Sequence, residues 1–75
     1  MIFVRKNVVL AKVNRVSKNG KEFAFLKIAD PKSYDTVELM ASRDLDINSL
    51  TEGEVYDALV DIDGRFSTVM LTASK

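Results

Sequence analysis

Two dipeptides that favour tight reversals of the chain constrain this sequence more than any other feature. Asn19-Gly20 and Asp63-Gly64 each stand between runs in which apolar and polar residues alternate. Both residues of such a pair tolerate the positive φ angles that a two-residue β-turn requires, so each pair predicts an antiparallel hairpin. The chain is therefore expected to fold mainly as β-strands.

Five strands are predicted from the alternation, which has the two-residue period of a pleated chain. They cover residues 3–16, 21–28, 36–40, 55–62 and 66–73. The first run is long and has apolar residues on both faces, which predicts strong curvature or a β-bulge. Residues 42–50 break the alternation and predict a short helical or irregular cover, with Ser42 as a candidate helix cap.

This order of elements predicts an all-β fold in which residues 1–75 form one domain. Five antiparallel strands, with a cover between the third and the fourth, are typical of the OB-fold. That fold is a Greek-key barrel whose second and third strands bind oligonucleotides. An SH3-like barrel is the alternative, since it has the same number of strands but no equivalent of residues 42–50.

The composition argues against catalysis and against a resident cofactor or metal. The 75 residues include no cysteine and no histidine, so the sequence offers no disulfide framework and none of the usual soft metal ligands. No glycine-rich phosphate loop and no activated nucleophile can be found. Asp57, Asp61 and Asp63 are spaced like ligands for a hard cation, but such sites need six or more oxygen atoms, so we expect solvated strand positions.

No segment approaches the ~20 apolar residues that span a bilayer, and no charged leader precedes a shorter apolar run. A cytoplasmic protein with no membrane partner is therefore expected.

The formal net charge is zero, but the charges are distributed unevenly. Through Lys32 the chain carries an excess of six positive charges, and the remainder carries an excess of six negative ones. This polarity predicts one basic and one acidic surface, unless strand pairing interleaves the two halves and cancels it. The cations expected to converge are Arg5, Lys6, Lys12, Arg15, Lys18, Lys21, Lys27 and Lys32.

The second predicted strand has the composition of a nucleic-acid surface. Lys21, Phe23, Phe25 and Lys27 share one face, while aliphatic residues and Glu22 occupy the other. Alternating cations and flat rings can bind phosphates and stack on bases, although a strand buried on both sides is the alternative. The residues predicted to bind nucleic acid are Lys12, Arg15, Lys21, Phe23, Phe25, Lys27, Lys32 and Tyr34.

Several short motifs resemble a known family. The run from Asn19 to Phe23 is similar to the entry to strand two in the single-stranded-DNA-binding proteins of filamentous phages. Gly53 with Tyr56, and Gly64-Arg65-Phe66 leading into residues 69–71, resemble the last two strands of those proteins. The short loop after strand two and the tight turn near Gly64 depart from the family pattern, and small phage, plasmid or conjugative-element proteins of the same fold match equally well.

The resemblance implies an OB-fold dimer that coats single-stranded DNA, with this role carried by Lys21, Phe23, Lys32 and Tyr34. We therefore predict a sequence-independent single-stranded-DNA-binding protein of phage, plasmid or conjugative-element replication. A homodimer is expected through Phe66 and Met70, since so small a core leaves an apolar last hairpin to cover. The alternative is a small barrel with no nucleic-acid role that docks a protein partner through its acidic half or its exposed rings.

Overall fold

In the computed structural model, which describes residues 1–64 and 66–74, five strands form a closed barrel. The strands are β1 (Ile2–Lys18), β2 (Lys21–Ala29), β3 (Thr36–Ala41), β4 (Val55–Asp63) and β5 (Phe66–Ala73). Their order around the barrel is β1-β2-β3-β5-β4, and β1 closes it by pairing with β4. The all-β prediction is thus confirmed, whereas the motif position Arg65 and the cation Lys75 lie outside the described residues.

The prediction of a purely antiparallel barrel is wrong at one pair of strands. β3 and β5 run parallel, with Met40 opposite Thr68 and Ala41 opposite Val69. Residues 42–54 carry the chain from the end of β3 to the start of β4, which pairs with β1 rather than with β3. β5 then turns back from β4 and lies beside β3 in the same direction, so the barrel is mixed.

The barrel interior is a single aliphatic cluster. Its buried members are Val8, Leu10, Leu26, Ile28, Ala58, Val69 and Leu71. Each large member gains roughly 1.5–3 kcal/mol from burial, and this gain has to stabilise a fold without disulfides. The alternation predicted for β2 is confirmed, because Leu26 and Ile28 are buried whereas Lys27 and Phe23 are exposed.

Two irregularities bend β1, as its two apolar faces predicted. The register with β2 shifts between Leu10 and Lys12, and the register with β4 shifts between Arg5 and Val8. The first shift leaves Leu10 buried and turns Lys12 outward, since an extra residue in one strand moves the following side chains to the opposite face. The strand can therefore pair with both of its neighbours around a tight barrel.

The β1–β2 hairpin extends beyond the barrel as a two-stranded ribbon. At its tip Asn19 and Gly20 both have positive φ, at 53° and 75°, which is the conformation that the Asn-Gly dipeptide predicts. Residues 15–18 pair with residues 21–24 and with no other described strand. We call residues 15–24 the arm, and none of them is buried.

The cover between β3 and β4 is a single turn of 3-10 helix, Ile47–Ser49. Leu45, Ile47 and Leu50 pack from this segment against the core. The helix is capped by Asp46, which accepts a hydrogen bond from the backbone N–H of Asn48 at 3.1 Å, so the prediction of Ser42 as the cap is wrong. The backbone N–H of Ser42 instead donates to the carbonyl of Val69 at 2.9 Å and prolongs the β3–β5 pairing.

Candidate nucleic-acid interface

The outer surface of β1 and β2 brings together cations that are far apart in the sequence. Lys12 lies opposite Lys27, and Lys18 lies opposite Lys21, because these residues are paired across the hairpin. Between these two pairs stand Val16 opposite Phe23 and Asn14 opposite Phe25. Cross-strand partners project from the same face of a sheet. We call this surface the cationic face, and its cations and rings are Lys12, Lys18, Lys21, Phe23, Phe25 and Lys27.

The two rings of the cationic face differ in accessibility. Phe23 lies on the arm and is 38% exposed beside Val16, which is 43% exposed. Phe25 is half-buried, since it stands where β2 pairs with β3 and has Asn14 on one side and Met40 on the other. Both rings therefore belong to the outer surface of the sheet, and Phe23 presents the more accessible surface for stacking.

One carboxylate stands within this surface, and sequence reasoning missed it. Glu38 of β3 is the cross-strand partner of Lys27, and its Oε2 atom accepts a hydrogen bond from Asn14 Nδ2 at 2.9 Å. The bond crosses β2 between Phe25 and Lys27. The negative charge of Glu38 repels a phosphate bound at this point of the cationic face. Alternation in β3 placed Glu38 outward, but its position beside Lys27 depends on strand pairing.

Arg15 and Arg5 do not join the cationic face, so the expectation that all eight cations converge is wrong. Arg15 shares the opposite side of the arm with Ala24 and donates from its NH2 atom to Asn48 Oδ1 at 2.8 Å. Arg5 lines a cavity, which Val8 also borders, and forms an ion pair with Asp30. The bulges of β1 cause both departures, since each shift in register changes which residues point outward.

The backbone N–H of Lys32, which donates to Asp30 Oδ1 at 2.8 Å, is the largest cause that holds the pKa of Asp30 below its ordinary value. The N–H of Ser33 and the guanidinium of Arg5 lower this pKa further, while partial burial opposes them. Asp30 is therefore a fixed negative charge that organises the start of the β2–β3 loop and neutralises Arg5.

Lys32 and Tyr34 lie in that loop, beyond the far end of β2. The full length of β2, at most roughly 26 Å for nine residues at about 3.3 Å each, separates this loop from Lys21, whereas Lys27 stands two residues before the strand ends. Tyr34 is 81% exposed and has a positive φ of 62°, and its backbone N–H donates to the carbonyl of Asp30 at 2.8 Å. The predicted binding residues therefore lie in three places: five on the cationic face, Arg15 on the opposite side of the arm, and Lys32 with Tyr34 in the β2–β3 loop.

The outer surface of β4 and β5 has the opposite charge. Asp57, Asp61 and Asp63 share one face of β4 with Leu59, and β5 adds Met70 opposite Leu59 and Phe66 opposite Asp63. Val4 of β1 pairs with Leu59 on the other side. We call this surface the acidic face, and it consists of Val4, Asp57, Leu59, Asp61, Asp63, Phe66 and Met70. Phe66 is 67% exposed and Val4 is 64% exposed, so the face combines carboxylates with a bare apolar surface.

The lysines of the cationic face form no ion pair with any carboxylate of the described residues. In that part of the chain the ion pairs are Arg5 with Asp30, and the amino terminus with Asp61 at 3.9 Å. The basic charge of Lys12, Lys18, Lys21 and Lys27 is therefore available to a ligand.

The described residues contain no cluster of three carboxylates that could hold a metal ion. Asp57 instead accepts a hydrogen bond from the backbone N–H of Asn7 at 3.1 Å, as a strand neighbour does. Within residues 1–64 and 66–74, no helix has the length and hydropathy needed to cross a membrane.

The chain matches no family model, and no similar curated protein or solved structure was found.

Proposed function

We propose that the protein binds single-stranded DNA without sequence preference through its cationic face. The observation that carries this proposal is the cross-strand arrangement of two lysine pairs around two phenylalanine rings, with none of those lysines in an ion pair with a described carboxylate. Rings on a basic strand surface are the elements with which proteins bind single strands irrespective of sequence.

In this proposal the rings and the lysines have different tasks. Phe23 and Phe25 stack on bases, and each ring contributes roughly 1–3 kcal/mol whatever the base, because every base has a π-face. Lys12, Lys18, Lys21 and Lys27 bind phosphates. Four such contacts give a slope of about −2.8 for log affinity against log salt, or roughly 50-fold weaker binding in 200 mM than in 50 mM salt. Arg15, Lys32 and Tyr34 would extend the contact beyond the cationic face.

The barrel itself supports an OB-fold-like assignment. The strand order and the short cover between β3 and β4 agree with a five-stranded Greek-key barrel, and the cationic face shares β2 with the β2–β3 surface that such barrels use for oligonucleotides. This extends the proposal to a non-enzymatic, cytoplasmic role in the replication of a phage, plasmid or conjugative element, as the motif resemblance implies. Fold alone does not fix function, so the proposal depends on the face and not on the barrel.

A homodimer through the acidic face is the second part of the proposal. Val4, Leu59 and Met70 form one row across three neighbouring strands, and Phe66 extends this apolar surface. Apolar surface of this kind marks an interaction site when it is contiguous and rimmed by polar groups. A two-fold contact would bring the rows of two copies together and leave both cationic faces free.

The competing proposal is a protein-interaction module with no nucleic-acid role. The same acidic face favours it, since exposed rings and aliphatic side chains flanked by Asp61 and Asp63 suit a partner with apolar and basic groups. The two proposals differ in their response to salt, because an apolar contact lacks the steep weakening that counterion release produces.

Titration of a labelled oligo-dT at 50 mM and 200 mM salt, with duplex DNA as competitor, tests the proposed function. We expect micromolar or tighter binding in low salt, a loss of roughly 50-fold between the two salt concentrations, and weak competition by duplex. No binding at tens of micromolar in low salt would leave the protein-interaction module as the better proposal. Equal affinity for duplex would remove base stacking as the mechanism.

Sedimentation at micromolar concentration tests the dimer. We expect the native chain to sediment as a dimer and the Phe66→Asp, Met70→Asp variant to sediment as a monomer that keeps its fold, since both side chains lie on the outside of the barrel. A monomeric native chain would contradict the dimer and leave DNA binding untouched.

A further inference from the structure

A cleft of about 860 Å³ lies beneath the arm, on the side opposite to the cationic face. It exists because β2 and β3 separate: they pair from Ala29 to Phe25, after which β3 continues beside β5. The segment after β3 then crosses below the arm and forms the lower wall with Arg43 and Asn48. Clefts of about 300–1,000 Å³ are typical of ligand sites.

The walls of this cleft combine basic groups with an apolar floor. Arg15 projects from the arm and Arg43 from the opposite wall, while Ala24 and Ile47 contribute apolar surface. Asn48 holds Arg15 through a neutral amide oxygen at 2.8 Å, so the guanidinium is positioned without losing its charge. The cations and carboxylates at the cleft are Arg15, Lys21, Arg43, Glu22 and Asp46.

The carboxylates do not cancel this basic character. Asp46 keeps its charge, since its Oδ1 atom accepts from the neutral backbone N–H of Asn48, but the three cations at the cleft outnumber the two carboxylates. Glu22 lies near the tip of the arm, where its cross-strand partner is Ser17, and three cations line the same cleft. A ligand that carries negative charge and flat apolar groups fits this lining.

The cleft continues the cationic face around one edge of the arm. Lys21 and Phe23 belong to that face and also border the cleft. From Lys21 to Ala24 this edge of β2 has no neighbouring described strand, so nothing in the described sheet separates the two surfaces. A flexible strand bound across Phe23 can therefore turn over the edge and enter the cleft.

We propose that this cleft binds the nucleotides that follow those on the cationic face, with Arg15 and Arg43 contacting their phosphates. The inference rests on the proposed binding of single-stranded DNA and extends it to a second segment of the same strand. It assigns a function to Arg43, which lies outside the basic first half of the sequence, and it gives Arg15 a phosphate contact that is separate from the cationic face.

The rival occupant is an extended peptide. The unpaired edge of β2 could accept one by strand addition, with backbone hydrogen bonds supplying the affinity. Arg15 and Arg43, which both line the cleft, favour the nucleic acid, because strand addition does not require them. A comparison of oligonucleotide lengths separates the two occupants.

The test measures the affinity of oligo-dT of about 4 to about 16 nucleotides for the native full-length chain and for Arg43→Gln. Arg43 is exposed, so the variant is expected to fold, and a thermal melt checks this. Lys6→Gln is the matched control, since it removes an exposed cation that lies in neither surface. We expect equal binding of native chain and Arg43→Gln for short oligonucleotides that fill only the cationic face.

For long oligonucleotides, Arg43→Gln should bind about threefold more weakly in low salt and lower the salt slope by about 0.7, while Lys6→Gln matches the native chain. Arg15→Gln should show the same dependence on length. If Arg43→Gln and Arg15→Gln bind oligonucleotides of every length as tightly as the native chain does, the inference is wrong. An extended peptide is then the better candidate for the occupant of the cleft. Failure of every length to bind the native chain would instead reject the proposed function, and the inference with it.

Discussion

The cationic face and the acidic face are built by the same barrel from different materials. Each presents aromatic rings on exposed strand surface, Phe23 and Phe25 on one and Phe66 on the other. The cationic face adds four lysines and one carboxylate, Glu38, whereas the acidic face adds three aspartates and a row of aliphatic side chains. Exposed rings alone therefore do not distinguish the two surfaces, and the charges around them do.

This difference teaches how a chain of zero net charge can carry a polar charge distribution. The basic half of the sequence forms β1 and β2, and the acidic half forms β4 and β5. In the closed order β1-β2-β3-β5-β4, the two strands that do not adjoin β2 are β4 and β5. The segregation of charge along the sequence thus becomes a segregation between β2 and the β4–β5 pair, while β1 adjoins both β2 and β4.

The most direct test of whether the two faces have different functions is to remove one aromatic ring from each face. We expect Phe23→Ala to weaken oligo-dT binding about 5- to 150-fold, corresponding to roughly 1–3 kcal/mol of stacking, with little change in the salt slope. Fluorescence anisotropy at two salt concentrations measures both quantities.

Phe66→Ala is the matched control for this prediction, since its ring is even more exposed but lies on the acidic face. It should leave DNA affinity unchanged and weaken the dimer. A loss of DNA affinity as large as that of Phe23→Ala would mean that the two faces do not have separate functions.

A smaller effect is expected from a single lysine of the cationic face. Lys21→Ala should flatten the salt slope by about 0.7, so that its loss of affinity is largest in low salt and is similar for all base sequences. The ratio of the native affinity to the Lys21→Ala affinity should be roughly 2.6-fold smaller in 200 mM salt than in 50 mM salt. Lys6→Ala, outside the face, should keep the native slope, and an unchanged slope for Lys21→Ala would place no phosphate at that residue.

Glu38 is the acidic residue within the cationic face, so its neutralisation is expected to raise the affinity for DNA and not to lower it. Glu38→Gln keeps an acceptor for Asn14 but removes a charge that repels phosphate. At roughly 8 Å in water this repulsion is about 0.5 kcal/mol, so binding should become about twofold tighter in low salt. Glu52→Gln, on an exposed turn outside the face, should show no gain, and an equal gain would indicate only an effect of net charge.

Asp30 belongs to neither face, and its effect is expected to concern stability alone. Because its pKa is lowered on folding, the ionised carboxylate stabilises the barrel above the ordinary pKa of 3.8, and this contribution is lost as the pH falls through the folded value. Asp30→Asn should therefore melt at a lower temperature than the native chain near pH 7, with a difference that shrinks as the pH falls from 3.8 through the lower folded pKa. Thermal melts by circular dichroism across this range, together with unchanged DNA affinity at pH 7, check the prediction; a constant difference at every pH would contradict it.

The sequence predicted the parts of this molecule that depend on local rules. Alternation located all five strands, the Asn-Gly dipeptide fixed the hairpin at Asn19, and the outward position of Phe23 followed from a period of two. Residues 42–50 were correctly expected to be a short cover, since they lack both strand alternation and a helical pattern of useful length.

What the sequence could not predict depends on pairings between distant segments. The parallel β3–β5 pair follows from the path of the chain over the barrel end, which no local pattern encodes. The position of Arg15 on the inner side of the arm follows from the bulge after Leu10, whose location within a doubly apolar strand was ambiguous. The cleft also depends on the point where β2 and β3 separate.

The arm has a consequence for how a protein of this kind can diversify. None of residues 15–24 is buried, so their replacement removes almost nothing from the aliphatic core. Mutations there can accumulate without unfolding the chain, whereas substitutions at Leu10 or Leu26 create cavities and lower stability by about 2–5 kcal/mol. Substitutions can thus change the surface that the arm presents while leaving the barrel unchanged.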